Sequence, residues 1–466
     1  MKDSITQQFP RVPIKDVAII NPRRFDIPIS DDESLSFVPM KDVEEETGRL
    51  HTKVVKVWKE VKKGYTPFQE GDVIFAKITP CMENGKFALA MGLHGGRAAG
   101  STEFHVFRPK PIVDPKYLLY YFFTPAIRHA AKANMKGTAG QLRVPIAFLE
   151  EQEIPLPSIE DQRSIVSEIE KQFTRLDAGV AALKRVQANL KRYRAAVLKA
   201  ACEGKLVPTE AELARKEGRD YEPASVLLER ILKERREKWQ EQYPKKKYVE
   251  PKGPDTSNLP ELPEGWCWAT VEQLSSFEKY SLAIGPFGSN LKVSDYTNSG
   301  VPLVFVKNIR YKAFNDFIKF VSHDKAKNLS QHQIQGGDVL VTKMGEPPGE
   351  ACLYPEDCPV AIITADCIKL RLMKMGISKQ YCIHSLNSVK VKSQILKITK
   401  GVAQQKVSLE RFSKISIPLP PFREQLHVTE EIERRFSVDD QVNVLLNLNL
   451  KRLSCLRQAI LRCAFE

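Results

Sequence analysis

Ile154-Pro155-Leu156-Pro157-Ser158-Ile159-Glu160-Asp161-Gln162 returns, after 417 − 154 = 263 residues, as Ile417-Pro418-Leu419-Pro420-Pro421-Phe422-Arg423-Glu424-Gln425. A long segment of polar–apolar periodicity follows each copy. Solenoid repeats run to a few tens of residues, so a period this long marks duplication of a whole domain together with its helix. Proline fixes φ and lacks an amide donor, and the Pro-x-Pro step therefore suits an extended hinge ahead of a helix.

Downstream of the first copy, apolar residues fall at Ile169, Phe173, Leu176, Val180, Leu183, Val186, Leu190, Tyr193 and Val197. Steps alternating between 3 and 4 predict the seam of a coiled-coil helix. About 40 residues at 1.5 Å each make a rod of roughly 60 Å, which Glu203-Gly204-Lys205-Leu206 closes with a C-cap glycine. The second helix runs from about Arg423, with Val428, Ile432, Phe436, Val442, Leu445, Leu453, Leu456 and Ile460 on its apolar face. Both seams are expected to be core. Asp439 and Asn443 replace Leu176 and Val180, so the two helices are related but not interchangeable. Residues 196–203 and 459–466 close the two copies, again 466 − 203 = 263 apart, and the second lacks the Gly-Lys-Leu that follows Glu203.

Upstream of each helix lies a region of short apolar runs and turn signals. Gly71-Asp72-Val73-Ile74-Phe75-Ala76-Lys77 reads as a turn and a strand ending in a cation, and Gly337 to Lys343 repeats it at 337 − 71 = 266. The loop Lys136-Gly137-Thr138-Ala139-Gly140-Gln141-Leu142-Arg143 has its counterpart in Lys400-Gly401-Val402-Ala403-Gln404-Gln405-Lys406, at 400 − 136 = 264. Tyr117 to Phe123 predicts a buried helix. The expected organisation is an α/β (α+β) globule at 1–153, a spacer helix at 154–206, and a linker at 207–258 with a short amphipathic helix and a basic run, Lys245-Lys246-Lys247. A second globule follows at 259–416 and a second spacer helix at 417–466. The basic run reads foremost as a solvated face.

With 466 residues, 42% hydrophobic and 27% charged, the chain reads as a soluble protein of several domains. It shows no membrane-length apolar run and no signal-peptide core, which predicts a cytoplasmic location. A formal charge of +14 favours a polyanionic partner. Nine cysteines without a Cys-x-x-Cys pair predict reduced thiols rather than metal ligands or disulfides. No phosphate-binding loop, dinucleotide glycine motif, zinc helix, nucleophile elbow or Asn/Asp-Pro-Pro-Tyr/Phe methyltransferase tetrapeptide occurs; Asn21-Pro22 fails at Arg23. Together with the duplication, this favours a binding scaffold over a catalyst.

Two similar globules on two long antiparallel helices would carry an approximate two-fold axis. Duplex DNA has the same local symmetry, and paired readers engage half-sites roughly 34–36 Å apart. Because the halves differ in sequence, the expected target is two different half-sites. On the repeated Ile-Pro-Leu-Pro-(x)4-Gln, Gly-Asp-Val-(x)3-Lys and Lys-Gly-x-Ala-x-Gln patterns, with Gly285 to Lys292 and Ser294-Asp295-Tyr296, the chain resembles the specificity (HsdS) subunit of type I restriction-modification systems over nearly its whole length. The resemblance implies a chain without catalysis or cofactor of its own. Two modification (methyltransferase) subunits would dock on the helices, joined by restriction (motor-nuclease) subunits, with S-adenosylmethionine, ATP and Mg held by the partners.

Candidate DNA contacts are Lys77 and Lys343 at equivalent strand ends, suited to a phosphate or a guanine edge, and Gln141, Gln404 and Gln405, a residue type that reads adenine. The glutamines have a competing role in bracing their own loops. Lys136, Arg143, Lys400 and Lys406 flank the loops as phosphate holders. Asn84, Lys86, Ser289, Asn290 and Lys292 complete the set. Two alternatives remain at this level: a fused DNA methyltransferase or nuclease, and a coiled-coil adaptor whose globules bind protein.

Overall fold

A computed structural model describes residues 9–138, 140–345, 347–399 and 406–466. The chain divides into two compact units, Met1–Arg185 with Leu445–Glu466, and Val186–Val444.

In the first unit one antiparallel sheet orders the strands Ala18–Ile20, Phe104–Pro109, Val73–Ala76 and Phe87–Leu89. A second sheet orders Val54–Val57, Ser34–Val38, Arg97–Gly100 and Thr66–Gln69, with Ser34–Val38 and Arg97–Gly100 parallel. The second unit repeats this plan. Its antiparallel sheet runs Leu282–Ile284, Cys367–Leu370, Val339–Thr342 and Ala351–Leu353. The other contains the parallel pair Val301–Val304 and Ala361–Ile363, flanked by Gln333–Ile334 on one side and Phe320–Val321 and Tyr296–Thr297 on the other. The duplication seen in sequence is thus a duplication of topology.

Aromatic packing fills the first core. Phe75 and Phe87 stack with centroids 4.1 Å apart, and Phe107 and Phe122 close around them. Each such ring removed from water contributes roughly 1.5–3 kcal/mol. Phe122 ends the helix Pro115–Phe122, which starts where Pro115 presets φ and the Asp114 carboxylate caps the amides of Lys116 and Tyr117.

The repeated glutamines are wholly buried. Gln162 Oε1 accepts from the Asp114 amide at 2.8 Å, and its Nε2 donates to the carbonyls of Ile112 and Pro157, both at 3.0 Å. Gln425 does the same with the Ser378 amide (2.8 Å) and the carbonyls of Gly376 (3.2 Å) and Pro420 (3.0 Å). Tyr117 and Tyr381 add hydroxyl donors to the Pro155 and Pro418 carbonyls, at 2.9 and 2.8 Å. Each strand preceding the hinge pairs with the first strand of its own globule: Arg11–Pro13 with Glu153–Pro155, and Cys267–Thr270 with Ser416–Leu419. The hinge is therefore pinned on all sides.

Two helices of 44 residues follow, Ile159–Cys202 and Phe422–Phe465. Within the first unit, Ile169 and Phe173 pack with Leu461 and Phe465; within the second, Val197 and Ala201 pack with Val428 and Ile432. Both pairings are antiparallel. Not all of the expected seam is core: Val186 is 39%, Tyr193 42%, Leu445 57% and Leu456 50% exposed. A helix pair buries a side chain fully where a globule also covers it, and these positions lack that cover.

The segment read as a linker is largely helical, Glu210–Glu217 and Ala224–Gln242. Leu227 and Ile231 are fully buried in the second globule's core, so the amphipathic stripe closes that core instead of tethering it. No described helix is long and apolar enough to cross a membrane.

Each unit holds an arginine clasp between its two helix segments. In the first, Arg457 pairs with Asp177 at 2.8 Å and stands 4.0 Å from the Phe173 ring. In the second, Arg194 pairs with Asp439 and Asp440 and lies 4.7 Å from the Phe436 ring. The offsets 457 − 194, 440 − 177 and 436 − 173 are all 263. Asp439, with a side chain 1% exposed, is the added acid that replaces Leu176, whereas Asp177 is 59% exposed. Leaving a buried charge unpaired costs roughly 3–5 kcal/mol, while loss of an exposed pair with its cation–π contact costs about 1 kcal/mol. Urea unfolding should therefore find Arg194→Ala far more damaging than Arg457→Ala.

Glu424 opens the second helix buried, accepting from Trp266 Nε1 and the Glu210 amide, both at 2.9 Å. Burial raises its carboxyl pKa to about 7, with Glu210 and Glu212 adding to the shift. In the unfolded chain this carboxyl titrates near 4.5. Its stabilising contribution is complete below that value and is lost as the pH rises toward 7. Glu424→Gln removes the titration but offers one acceptor oxygen where the carboxyl offers two, so its melting temperature should be lower at pH 4.5 and, measured across pH 4.5–7, should lose part of the downward slope.

Candidate nucleic-acid interface

Lys77 leaves the strand Val73–Ala76 with its backbone fixed twice, donating to the Glu103 carbonyl and accepting from the Val144 amide, each at 2.9 Å. Ile78 bridges Arg143, and the Thr79 amide donates to Leu142 at 2.9 Å. Lys136 and Arg143 exchange two backbone hydrogen bonds, at 2.9 and 2.8 Å. The basic loop is thereby stitched to the strand end, and Lys77, Lys136, Gln141 and Arg143 come together at one edge of the globule. His105 supports this edge from beneath through Nε2 on the Val144 carbonyl, at 3.0 Å. Burial lowers its pKa to about 4, so it is a neutral strut.

Gln141 and Lys136 are exposed. The loop is braced by the Gln141 backbone, whose amide donates to Thr138 and whose carbonyl accepts from Arg143 Nη1; its side-chain amide has no hydrogen bond among the described residues. Arg143 is differently placed. Its fork closes on Glu103 at 2.9 and 2.8 Å, an ion pair that holds the Glu103 carboxyl below its ordinary range. Asn84 donates to Glu45 at 3.0 Å and Lys86 to the Met40 carbonyl at 3.3 Å, so both of these side chains have partners within the globule.

The second globule repeats the frame. Lys343 donates its amide to Asp366 at 2.8 Å and accepts from Val407 at 3.1 Å, while Met344 bridges Lys406, which is exposed. Lys343 Nζ donates to the Ala365 carbonyl at 3.2 Å. Lys400, Gln404 and Gln405 lie outside the described residues. Ser289, Asn290 and Lys292 form an exposed turn, closed by the Asn290 amide on Phe287 and the Lys292 amide on Asp295, both at 2.8 Å. Gly285 starts it because a Cβ there would lie 1.9 Å from the Thr364 carbonyl oxygen. That close approach seats the turn on the Thr364–Cys367 bend, where the Lys343 ammonium also ends.

The sequence reads Gly-Asp-Val-(x)3-Lys as a turn and a strand ending in a cation; the structure adds a role for its aspartate. Gly71 and Gly337 take φ of +87° and +83° to make the turn. Asp72 and Asp338 are buried and grip Arg108 and Arg371 in two-pronged ion pairs, at 2.9 and 3.0 Å and at 2.7 and 2.9 Å. The equal spacing of these arginines, 371 − 108 = 263, was the available signal. The terminal lysines, Lys77 and Lys343, are half-buried. Asp338→Ala should cost roughly 3–5 kcal/mol in denaturant unfolding, because it removes the buried acceptor of Arg371 Nε and Nη2 and leaves that guanidinium only Glu278. Lys343→Ala, at a half-buried strand end, gives up the ammonium's hydrogen bond to the Ala365 carbonyl and should cost only about 1 kcal/mol.

These features define a class: an internally duplicated scaffold, two α+β globules each pinned to a long helix and each carrying a lysine at the end of an equivalent strand. The chain belongs to the family of the type I restriction modification DNA specificity domain, whose profile matches residues 9–188 and 290–434. Among its relatives are two Escherichia coli proteins, the type I restriction enzyme EcoEI and EcoAI specificity subunits. The first is 29% identical over 480 residues, 92% of this chain and 78% of the relative. The second is 30% identical over 370 residues, 70% of this chain and 60% of the relative. Its fold is shared with the HsdS subunit from Thermoanaerobacter tengcongensis, at a TM-score of 0.52 and 18% identity over 100% of this chain and 99% of that one. A chain from a study of complex assembly and conformational transition of the type I R-M system aligns at 0.64 and 17% identity, over 99% and 98%.

Proposed function

We propose that this chain is the DNA sequence-specificity subunit of a type I restriction-modification complex and contributes no catalysis of its own. Each globule reads one half of a split, asymmetric target; the helices set the gap and dock two modification subunits, and restriction subunits complete the assembly. S-adenosylmethionine, ATP and Mg belong to those partners, and a cytoplasmic location follows from the substrate. The observation that carries this reading is the pair of matched edges. One topology presents Lys77 with Gln141 in one globule and Lys343 with Lys406 in the other, at equivalent positions but with different neighbours. Identical frames with different loops are what two unlike half-sites require. Exposed Leu445, Leu448 and Leu456, on the part of the second helix that belongs to the first unit, support the docking role, since exposed apolar side chains grouped on a helix mark a partner surface. Family membership favours this reading over a fused enzyme or a protein-binding adaptor.

Co-expression with the cognate modification subunit, followed by sequencing-based mapping of adenine methylation, should give a split motif with a fixed gap that vanishes when this chain is omitted. Methylation that persists unchanged without the chain would refute the role. In the assembled methyltransferase, Lys343→Ala should weaken binding on all sequences alike and reduce the slope of log K against log salt by roughly 0.9, the value for one phosphate contact.

A further inference from the structure

The helix Ala224–Gln242 buries Leu227 and Ile231 in the second globule, but its last turns do something else. Trp239 and Tyr243, four residues apart, share a face, with ring centroids 5.4 Å apart. The chain then turns through Lys245-Lys246-Lys247 and brings Tyr248 back to the same indole, also at 5.4 Å. Arg235 fixes the base of this arrangement by donating to the Tyr248 hydroxyl at 2.7 Å and the Ser275 carbonyl at 3.0 Å. With Phe277 and Lys279 on the facing wall, these groups enclose an open cavity of about 330 Å³.

Its chemistry is one-sided. Arg235, Lys246, Lys247 and Lys279 line it, and Lys246 stands 4.9 Å from the Tyr243 ring centre. The one lining acid among the described residues, Glu278, is paired with Arg371 at 2.7 Å. The three lysines have no carboxylate partner among the described residues. Trp239, Tyr243 and Tyr248 are half-buried, so their rings are accessible, unlike core aromatics. A cationic ligand would be repelled here, and an apolar one would strip water from the ammonium groups without replacing it. Flat rings beside unpaired cations suit a ligand that is both aromatic and anionic. A volume at the small end of ligand sites fits one such unit and excludes a duplex.

We propose that this cavity binds a nucleotide unit, its base against Trp239 and its phosphate at Lys246 and Lys247, supplied by single-stranded nucleic acid or by free nucleotide. None of the candidate DNA contacts lines this cavity, and the proposal does not depend on the half-site reading.

The test titrates the full chain with a labelled single-stranded dodecanucleotide and, separately, with AMP and ATP, following tryptophan emission and anisotropy. The oligonucleotide should quench emission in the parent, and Trp239→Phe should abolish most of that quenching while binding persists. Trp239→Ala should weaken binding roughly 5- to 150-fold, the range for loss of one stacked base. Lys246→Gln with Lys247→Gln alters exposed residues only, and should lower the single-strand salt slope by about 1.4. Displacement of the oligonucleotide by AMP or ATP identifies free nucleotide as an occupant; indifference to them identifies the strand. Affinity unchanged in the double-glutamine protein, or emission unaffected by every probe, overturns the proposal.

Discussion

A glutamine side chain has one good acceptor and two donors, and at Gln162 and Gln425 all three are spent inside the protein. Everything outward of the hinge depends on that amide. It ties the first turn of a 44-residue helix to the N-cap residue of a second helix, Asp114 or Ser378, and to the carbonyl of the second proline of the hinge. Buried polar groups are costly when unpaired and stiff when fully paired. An apolar residue there would abandon an amide and two carbonyls, and the long helix would lose the fixed angle at which it leaves its globule. Glutamate could not substitute, because it lacks the two donors.

The clasps act on the same helices farther along. Arginine suits them because its plane can lie over a phenylalanine while its fork reaches a carboxylate. Repetition of Arg, Phe and Asp at one offset makes the antiparallel pairing self-consistent in each unit. Asp439 breaks the equivalence, placing a second, buried acid where the other copy has Leu176. A buried polar pair is a poor source of net stability but a strong selector of partner and alignment. Apolar contacts alone would tolerate a helix slipped by a turn; a buried aspartate facing the wrong residue would not be tolerated.

Much of the architecture was legible because duplication lets a sequence annotate itself. The 263-residue echo located both hinges, both helices and the matching strands before any geometry was known, and the topology repeats accordingly. The seam was overread at Val186, Tyr193, Leu445 and Leu456 because periodicity reports which face is apolar, not whether a globule covers it. The 207–258 segment was underread for the converse reason: Leu227 and Ile231 look like a modest stripe until the core they close is seen. At the basic edges, residue type alone could not separate Arg143, whose fork closes on Glu103, from Lys136, which is exposed. A half-buried partner 40 residues away leaves no local trace. The pairing of Asp72 with Arg108 escaped likewise: the aspartate and the arginine stand 36 residues apart in one copy and 33 in the other, so no constant step marks the pair.

The hinge has a consequence for heredity. Both junctions use the same proline step, the same buried amide and the same tyrosine hydroxyl. Exchange of one globule for another at this step would deliver it already fitted to its socket, since the hinge glutamine asks of it only a backbone amide and a backbone carbonyl, and the hinge carbonyl only a tyrosine. The part of the chain that varies least in chemistry between its copies is therefore the part that lets the rest change wholesale. New specificities could arise by exchange of intact readers, without a destabilised intermediate.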